Sequence, residues 1–253
     1  MEFKFKKQSK FMEYKYTGII LDKRDIGETD RIYDIYTLEQ GKVSAIARGV
    51  RKPQAKLAGH LENFCLVDLT IMKNKGLGNI SGSIVENNFA NLRQNLGGLE
   101  KVFSTIKLFK RLVNNEEKDD KIFYLLLDYL NIVNEKKKLR ENDCHIRQEL
   151  ISQGFVFKLL DLLGYKIEVN KCVKCGNKLF AEKNFFDYSL GGITCFGCSQ
   201  KSNTRMLINN NAIKIIRIFF QHNLKTLEKL KISSRDAKEL KKISQTFIKW
   251  TAI

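Results

Sequence analysis

The most informative run of the chain reads Ile32-Tyr33-Asp34-Ile35-Tyr36-Thr37-Leu38-Glu39-Gln40-Gly41-Lys42-Val43-Ser44-Ala45-Ile46-Ala47. Its two ends are rich in the β-branched and aromatic residues that strands favour, and Glu39-Gln40-Gly41-Lys42 joins them as a short hairpin turn would. Similar runs lie at 16–21, 64–71 and 78–85. Five short strands within about 70 residues predict a small barrel.

A five-stranded Greek-key barrel of the OB type fits this strand count and spacing, and that fold commonly binds oligonucleotides. A small SH3-like barrel is the alternative.

After Asn87 the hydrophobic period changes from that of strands to that of helices. Apolar stripes predict helices at 98–113, 122–133, 146–163, 211–222 and 234–250. Gly164 is expected to end the third helix, and a serine is expected to cap the last. The predicted core face of the first helix consists of Leu99, Val102, Phe103, Ile106, Phe109 and Val113.

Together these patterns predict an α+β multidomain protein with an N-terminal OB-type β-barrel, followed by an α-helical domain with an inserted four-cysteine zinc-binding element. The expected parts are a flexible extension at 1–12, the OB-fold barrel at 13–86, the helical domain at 87–170, the four-cysteine zinc element at 171–203, and C-terminal helices packing with the helical domain at 204–253.

The sharpest motif is a pair of C-x-x-C knuckles, Cys172-Val173-Lys174-Cys175 and Cys195-Phe196-Gly197-Cys198, with a spacing typical of zinc sites. Gly176 and Gly197 are expected to supply the unusual backbone angles of the two turns. Four thiolates fill a tetrahedral shell and leave no position open for water or substrate, so we predict one structural Zn2+ held by Cys172, Cys175, Cys195 and Cys198. An iron–sulfur cluster and redox chemistry are the alternatives.

The charge balance points to a polyanionic partner. The chain has 45 lysines and arginines against 28 aspartates and glutamates, a formal net charge of +17, and nucleic acid is the usual partner of such a protein. Lys, Asn and Ile are all abundant in this chain, so a general compositional bias also accounts for part of the lysine excess. No run approaches the roughly 18–20 apolar residues of a membrane span, and no signal peptide is evident, so we expect a cytoplasmic protein without a membrane partner.

No catalytic motif is recognisable, and we predict that the protein is not an enzyme. The Gly41-Lys42 pair lacks the rest of a P-loop, and His60, His145 and His222 belong to no catalytic motif. The acidic group of Asp22, Asp25, Glu28 and Asp30 could be imagined as a magnesium site. These residues alternate with basic ones, which favours a solvated, salt-bridged edge.

The barrel region then resembles a known family, the bacterial recombination mediator RecO. The resemblance is carried by Gly27-Glu28-Thr29-Asp30-Arg31, Gly41-Lys42-Val43-Ser44, Ala47-Arg48-Gly49-Val50-Arg51-Lys52 and Leu61-Glu62-Asn63-Phe64, in the order and spacing typical of that family. The last motif departs from the usual Leu-Gln-Pro-Phe-like element. The cysteine knuckles follow a helical region, as in zinc-containing members.

The resemblance implies an OB barrel, a helical domain and a zinc element. It implies a DNA recombination mediator that binds single- and double-stranded DNA and anneals complementary strands. It also implies work with RecR, contact with the C-terminal tail of single-strand binding protein (SSB), indirect action on RecA, and a cytoplasmic, nucleoid-associated location. A zinc-ribbon RNA-binding or ribosome-associated factor is the alternative function, and an enzyme with an unrecognised site is a third.

The candidate DNA-binding residues fall into two groups. Four basic residues match the family's barrel motifs, and three others are added from charge alone; the first group is Arg31, Arg48, Arg51 and Lys52, and the second is Lys56, Lys73 and Lys75. Tyr33, Tyr36 and Phe64 are weighed as base-stacking residues, with barrel core as the favoured interpretation.

Overall fold

The structure is a computed structural model that describes residues 12–74, 76–136, 140–181, 183–200 and 202–251. Within these ranges the chain forms two compact units. The first contains the residues up to Phe89 together with Val113–Phe123, and the second contains Ala90–Leu112 and the residues from Tyr124 onwards. The predicted extension lies outside the described residues except for Met12, which begins the first strand.

Five strands form one closed sheet in the first unit. They are β1 (Met12–Ile26), β2 (Asp30–Thr37), β3 (Gly41–Ala47), β4 (Leu66–Lys73) and β5 (Gly78–Asn87). Their order around the barrel is β1-β2-β3-β5-β4, and β4 pairs with β1 to close it. Only the β3–β5 pair is parallel. The predicted mixed α+β architecture with a five-stranded N-terminal sheet is confirmed, and it is consistent with the OB type.

β1 is longer than the sequence pattern predicts because it belongs to two faces of the barrel. Its first half pairs with β4 from Met12 to Ile19, and its second half pairs with β2 from Gly18 to Ile26. The two pairings overlap at Gly18 and Ile19, and a register shift between Ile20 and Asp22 follows within the half that pairs with β2. The polar second half resembles a loop in sequence, but its backbone is held by β2.

Inward-facing residues of all five strands fill the barrel. Ile20, Ile35, Ala45, Val67 and Ile80 are among its buried side chains. The Leu61-Glu62-Asn63-Phe64 motif lies between β3 and β4, and Phe64 has a positive φ of 69° with its side chain buried. A left-handed backbone at a bulky residue is uncommon. Here the N–H of Phe64 donates to the carbonyl of Ile20 at 2.7 Å, which ties the turn to β1.

The first residues of β3 hold the Val113–Phe123 segment against the barrel. The N–H of Glu116 donates to the carbonyl of Lys42 at 2.9 Å, and the ammonium of Lys42 donates to the carbonyl of Val113 at 2.6 Å. Gly41 has a φ of 72°, and a Cβ at this position would overlap the Glu117 carbonyl. The Gly41-Lys42 pair therefore has a structural role in holding this segment.

Helices dominate the second unit. They are α1 (Leu96–Leu112), α2 (Asp120–Asn134), whose first turn belongs to the first unit, α3 (Glu141–Leu162), α4 (Phe196–Ser199), α5 (Asn210–Gln221), α6 (Leu224–Leu227) and α7 (Ser234–Trp250). Gly164 ends α3 with a φ of 87°, as predicted. Ser233 caps α7 and forms a reciprocal capping box with Asp236.

The centre of this unit is α3, which packs against α1, α5, α6 and α7. The Phe155 ring lies 4.7 Å from that of Tyr129 and 6.0 Å from that of Phe109, and Gly154 admits the side chain of Leu227. Of the face predicted to be core in the first helix, Val102, Ile106 and Phe109 are buried and Leu99 is partly buried. Val113 is buried too, just beyond the end of α1, but the prediction is wrong at Phe103, which is 43% exposed. Its position lies at the edge of the stripe, where a small rotation of the helix decides burial.

The cysteine-rich segment contains a small sheet that the sequence analysis did not predict. β6 (Asn184–Asp187) pairs with β7 (Gly192–Thr194) on one side and with β8 (Arg205–Ile208) on the other. Phe186 of β6 packs edge-on against Phe247 of α7, with ring centroids 5.9 Å apart. No helix in the described ranges is both long enough and apolar enough to cross a membrane.

Candidate metal centre and nucleic-acid interface

The four knuckle cysteines converge on one point. Their sulfur atoms all lie within 4.8 Å of one another, and within the described residues no other group of three or more potential ligands is arranged to hold a metal. A tetrahedral ion with metal–sulfur bonds of about 2.3 Å needs sulfurs about 3.8 Å apart. The donor set and its compactness therefore fit a tetrahedral thiolate-bound ion.

Each knuckle is produced by local backbone geometry. In the first, the N–H of Gly176 donates to the carbonyl of Cys172 at 2.8 Å, and the positive φ of Gly176 closes the turn. In the second, Cys195 immediately precedes α4 and the N–H of Ser199 donates to its carbonyl at 3.0 Å. The prediction for Gly197 is wrong, because this residue lies within α4 and needs no special backbone angle.

The electrostatics of the cluster favour a bound cation. Burial opposes ionisation of Cys172, but N–H groups of Cys175, Cys195 and Lys174 donate to its sulfur and lower its pKa to about 6. The thiols of Cys195 and Cys175, burial and the Cys172 sulfur raise the pKa of Cys198 to about 12. Cys172 therefore loses its proton readily and Cys198 does not, as expected where several thiols share a small volume and neighbouring thiolates repel each other. A cation at the centre of the cluster offsets this repulsion.

A buried carboxylate supports the sheet beside the cluster. Asp187 ends β6 and accepts hydrogen bonds from the hydroxyls of Ser189 at 2.8 Å, Thr204 at 2.9 Å and Ser202 at 2.5 Å. Burial opposes ionisation of Asp187, but these donors hold its pKa below the usual value. The carboxylate thus joins the turn after β6 to the segment that leads into β8, on either side of the second knuckle. Only the nearby hydroxyl residues hint at this in sequence.

Two of the predicted DNA-binding arginines meet at one carboxylate. The Arg31 guanidinium donates to Asp25 at 2.6 Å, and that of Arg51 lies 3.4 Å from the same side chain. Arg51 also donates to the carbonyl of Gly27 at 3.3 Å, and the hydrogen bond and charge of Arg31 hold the pKa of Asp25 below its usual value. These contacts fold the loop after β3 onto the β1–β2 turn.

A second carboxylate fixes the start of the same loop. Asp30 accepts from the N–H of Gly49 at 2.7 Å, and this bond, the Thr29 hydroxyl and the nearby Arg48 and Lys52 keep its pKa low. The acidic residues of this edge therefore hold a basic loop, and the salt-bridged interpretation is favoured over a magnesium site. Arg48, Lys52 and Lys56 are exposed, and among the described residues none of the three forms an ion pair.

The remaining basic candidates lie elsewhere. Lys73 ends β4, and its ammonium lies 3.2 Å from the carboxylate of Glu116. It is therefore not part of the Asp25 and Asp30 arrangement. Lys75 lies outside the described residues. The structure thus groups Arg31, Arg48, Arg51 and Lys52, whereas a DNA-binding role for all seven residues stays a prediction.

The aromatic candidates are barrel core. Tyr33, Tyr36 and Phe64 are all buried, and Tyr36 stacks on Phe123 with ring centroids 6.5 Å apart, so none of them is available to stack on a base. The partly buried pair Tyr14 and Tyr16 on β1, whose nearly parallel rings lie 6.0 Å apart, was not among the predicted aromatic candidates. Residues two apart on a strand lie on the same face of the sheet, and this spacing is the feature of the sequence from which the pair could have been found.

The helical unit contains a groove of roughly 750 Å3 that the sequence analysis did not anticipate. Leu108, Val156 and Ile248 give it an apolar floor, and none of the described side chains that line it is acidic. Lys101 is committed to an ion pair with Glu149 of α3. The basic residues along the groove come from α1 and α7: Lys101, Lys107, Arg111, Lys241 and Lys249.

Comparison with known proteins covers both units. Residues 12–89 match the family model described as "Recombination protein O N terminal", and residues 104–252 match "Recombination protein O C terminal". The chain is 32% identical over 228 residues to the "DNA repair protein RecO" of Dehalococcoides mccartyi, covering 90% of this chain and 86% of that protein.

More distant relatives carry the same description. The "DNA repair protein RecO" of Desulforamulus reducens is 25% identical over 237 residues, 94% of this chain and 89% of that protein. That of Listeria monocytogenes serotype 4b is 26% identical over 235 residues, 92% of this chain and 87% of that protein.

Proposed function

The chain belongs to the RecO family of DNA repair proteins, and on that premise we propose that it is a DNA-binding recombination mediator. It binds single- and double-stranded DNA, anneals complementary strands and, with RecR, helps to load RecA onto SSB-coated single strands, in the cytoplasm and in association with the nucleoid. Family membership favours this function over a zinc-ribbon RNA-binding or ribosome-associated role. Annealing involves no bond chemistry, so the proposal needs no catalytic residue.

The observation that carries the proposal is the basic loop on the OB-type barrel. Asp25 and Asp30 hold the loop's backbone and Arg51 in place, so Arg48, Lys52 and Lys56 project from an ordered support. Annealing requires a surface that screens the repulsion between two phosphate backbones and leaves the bases free to pair. Arg48, Lys52 and Lys56 are exposed, and none of them is held in an ion pair among the described residues, so they can meet that requirement.

We further propose that Cys172, Cys175, Cys195 and Cys198 hold one structural Zn2+. Their thiolates complete a tetrahedral shell, and a closed shell offers no site for a reacting water. The ion's contribution is to folding, because β6 and β7 lie between the two knuckles in sequence and neither strand exceeds four residues.

The α1–α7 groove is the best candidate on this chain for the SSB tail. Four basic residues besides the paired Lys101, and the absence of acidic lining among the described side chains, favour an acidic peptide. The apolar floor provides a place for its hydrophobic side chains. A volume of roughly 750 Å3 lies within the usual range of ligand sites, about 300–1,000 Å3.

The proposal predicts strand annealing that needs neither nucleotide nor magnesium. Complementary oligonucleotides should anneal faster with the protein, equally well with and without ATP or chelator. About six phosphate contacts on a single strand correspond to a salt slope of about −4, so a fourfold rise in salt should weaken binding a few hundredfold. Fluorescence-monitored annealing across a salt series measures both effects, and an absolute requirement for ATP would sink the proposal.

The same assay with SSB-coated strands separates a mediator from a simple polycation. The protein should also anneal coated strands. Lys241→Ala/Lys249→Ala should impair annealing of coated strands and leave annealing of bare strands intact, since these residues line the groove and not the basic loop. If the variant annealed bare and coated strands equally poorly, the groove would not be the site of the SSB tail.

The basic loop predicts a specific weakening of phosphate binding. Arg48→Ala/Lys52→Ala should lower affinity for all DNA sequences alike and reduce the single-strand salt slope by about 1.4, at about 0.7 for each phosphate that the protein no longer neutralises. Arg48 and Lys52 are chosen over Arg51 because Arg51 also supports the loop through Asp25 and Gly27. Fluorescence anisotropy with a labelled oligonucleotide measures affinity and slope.

A charge-matched control is available in the same unit. Lys15→Ala/Lys118→Ala removes two exposed cations outside the loop and should leave the slope close to that of the parent. A loop variant indistinguishable from this control would place the DNA contact elsewhere on the chain.

A further inference from the structure

The outer face of α7 carries a line of exposed cations. Arg235, Lys238 and Lys242 are exposed, whereas the neighbouring Ala237 and Leu240 are buried. Their spacing of three and four residues puts them on one side of the helix, about 4.5 Å and about 6 Å apart along its axis. Successive phosphates of one strand are about 3.4 Å apart along B-DNA, and farther apart in an extended strand. The stripe can therefore follow a nucleic-acid backbone.

These cations border a groove of roughly 710 Å3 between α7 and the β8 edge. Exposed Lys183 lies on the same groove. Within the described parts of the chain, Arg235, Lys238, Lys242 and Lys183 form no ion pair. Among the described side chains that line the groove, the one acidic residue, Glu239, accepts hydrogen bonds from the N–H and the side-chain amide of Asn209. The groove thus presents an excess of positive charge.

The opposite side of the groove offers apolar surface. Leu207 of β8 is 60% exposed and lines the groove, and Phe180, 68% exposed, immediately precedes the lining residue Ala181. An exposed aromatic ring beside a basic track is the usual composition of a single-strand site, because bases stack on the ring while cations follow the phosphates. Among the described strands, β8 pairs only with β6. No described strand pairs with its other edge, so the groove is open on that side.

We infer that the α7–β8 groove binds a single DNA strand, so that one chain holds two strands at once, one at the basic loop of the barrel unit and one here. This inference rests on the proposed annealing function and adds a second strand site to it. An added peptide strand is the less favoured occupant, because β8 has only four residues and the recurring feature of the groove is unpaired positive charge. Two occupied sites bring complementary strands together on one molecule.

The test is the number of strands bound per chain. An oligothymidylate of about eight nucleotides, within the roughly 4–16 that a single OB-type site covers, cannot pair with itself. Sedimentation of the full-length protein at saturating oligothymidylate and low salt should give two strands per chain. Arg235→Ala/Lys238→Ala/Lys242→Ala should give one and should reduce the salt slope of total binding by about 2. Arg48→Ala/Lys52→Ala should also give one.

The control removes three exposed cations from other parts of the same unit. Lys166→Ala/Lys229→Ala/Lys231→Ala should still bind two strands, and thermal unfolding should show that both triple variants are folded. Two strands bound by the α7 variant would overturn the inference and would leave the groove for a protein partner. A parent protein that neither binds oligothymidylate nor anneals would overturn the proposed function itself, which is a different result from an annealing parent with one strand site.

Discussion

Replacement of Cys175 by serine is expected to release the metal and to unfold the cysteine-rich part of the helical unit. Bound zinc contributes on the order of 10 kcal/mol to folding in small zinc modules, and a serine hydroxyl is a much poorer ligand than a thiolate. Cys175 is the exposed member of the four, so its replacement leaves no cavity in the core. A drop in stability would therefore report the loss of coordination and not of packing.

Two measurements test this expectation. Metal analysis should find one zinc per chain in the parent and none in Cys175→Ser. The only tryptophan of the chain, Trp250, lies with its ring 5.2 Å from that of Tyr188, which follows β6, so its fluorescence reports unfolding of this region. Cys144→Ser, which changes a cysteine outside the cluster, should retain both zinc and stability. A metal-free parent, or a Cys175 variant as stable as the parent, would contradict the structural role.

Gly41→Ala is expected to destabilise the barrel strongly. A left-handed backbone costs a residue with a Cβ about 1–2 kcal/mol, and overlap with a fixed atom adds about 1–3 kcal/mol. The overlapping atom is the backbone carbonyl oxygen of Glu117, which cannot rotate away as a side chain could. The expected total is about 2–5 kcal/mol, with detachment of the Val113–Phe123 segment as its structural consequence.

Gly27→Ala separates the two causes. Gly27 also has a positive φ, of 57°, but a Cβ there would meet nothing within 4 Å, so only the backbone cost should apply. Because Trp250 lies in the other unit, hydrogen exchange of β2 and β3 is the appropriate measurement. Equal losses of protection in the two alanine variants would show that the approach of Glu117 is not what requires glycine at position 41.

Much of the fold follows from local pattern. The five barrel strands and the five long helices each have a hydrophobic period that persists over enough residues to be recognised, and the resemblance to the RecO family is confirmed by matches across both units. β6, β7 and β8 escaped prediction because none exceeds four residues. Their pairing is imposed by the knuckles and by Asp187, and not by any period in the sequence.

The same contrast between local pattern and long-range contact separates the two candidate sites. The cysteine cluster could be predicted because two short turns bring each pair of ligands together locally, and only one long-range approach remains. The role of each arginine could not be predicted, because whether Arg51 faces solvent or Asp25 depends on how the loop after β3 folds back on the β1–β2 turn. Likewise, the grooves beside α7 bring together residues from distant elements, which no window of sequence contains.

The return of Val113–Phe123 to the barrel has a consequence for the newly made chain. At about 5–20 residues per second, the ribosome adds the 36 residues that follow β5 up to Phe123 in a few seconds. During that interval the hydrogen bond from Glu116 to the carbonyl of Lys42 cannot form. The N-terminal unit therefore matures cotranslationally in two stages, and β1 to β5 expressed as a truncated fragment should be less stable than the same strands in the full-length protein.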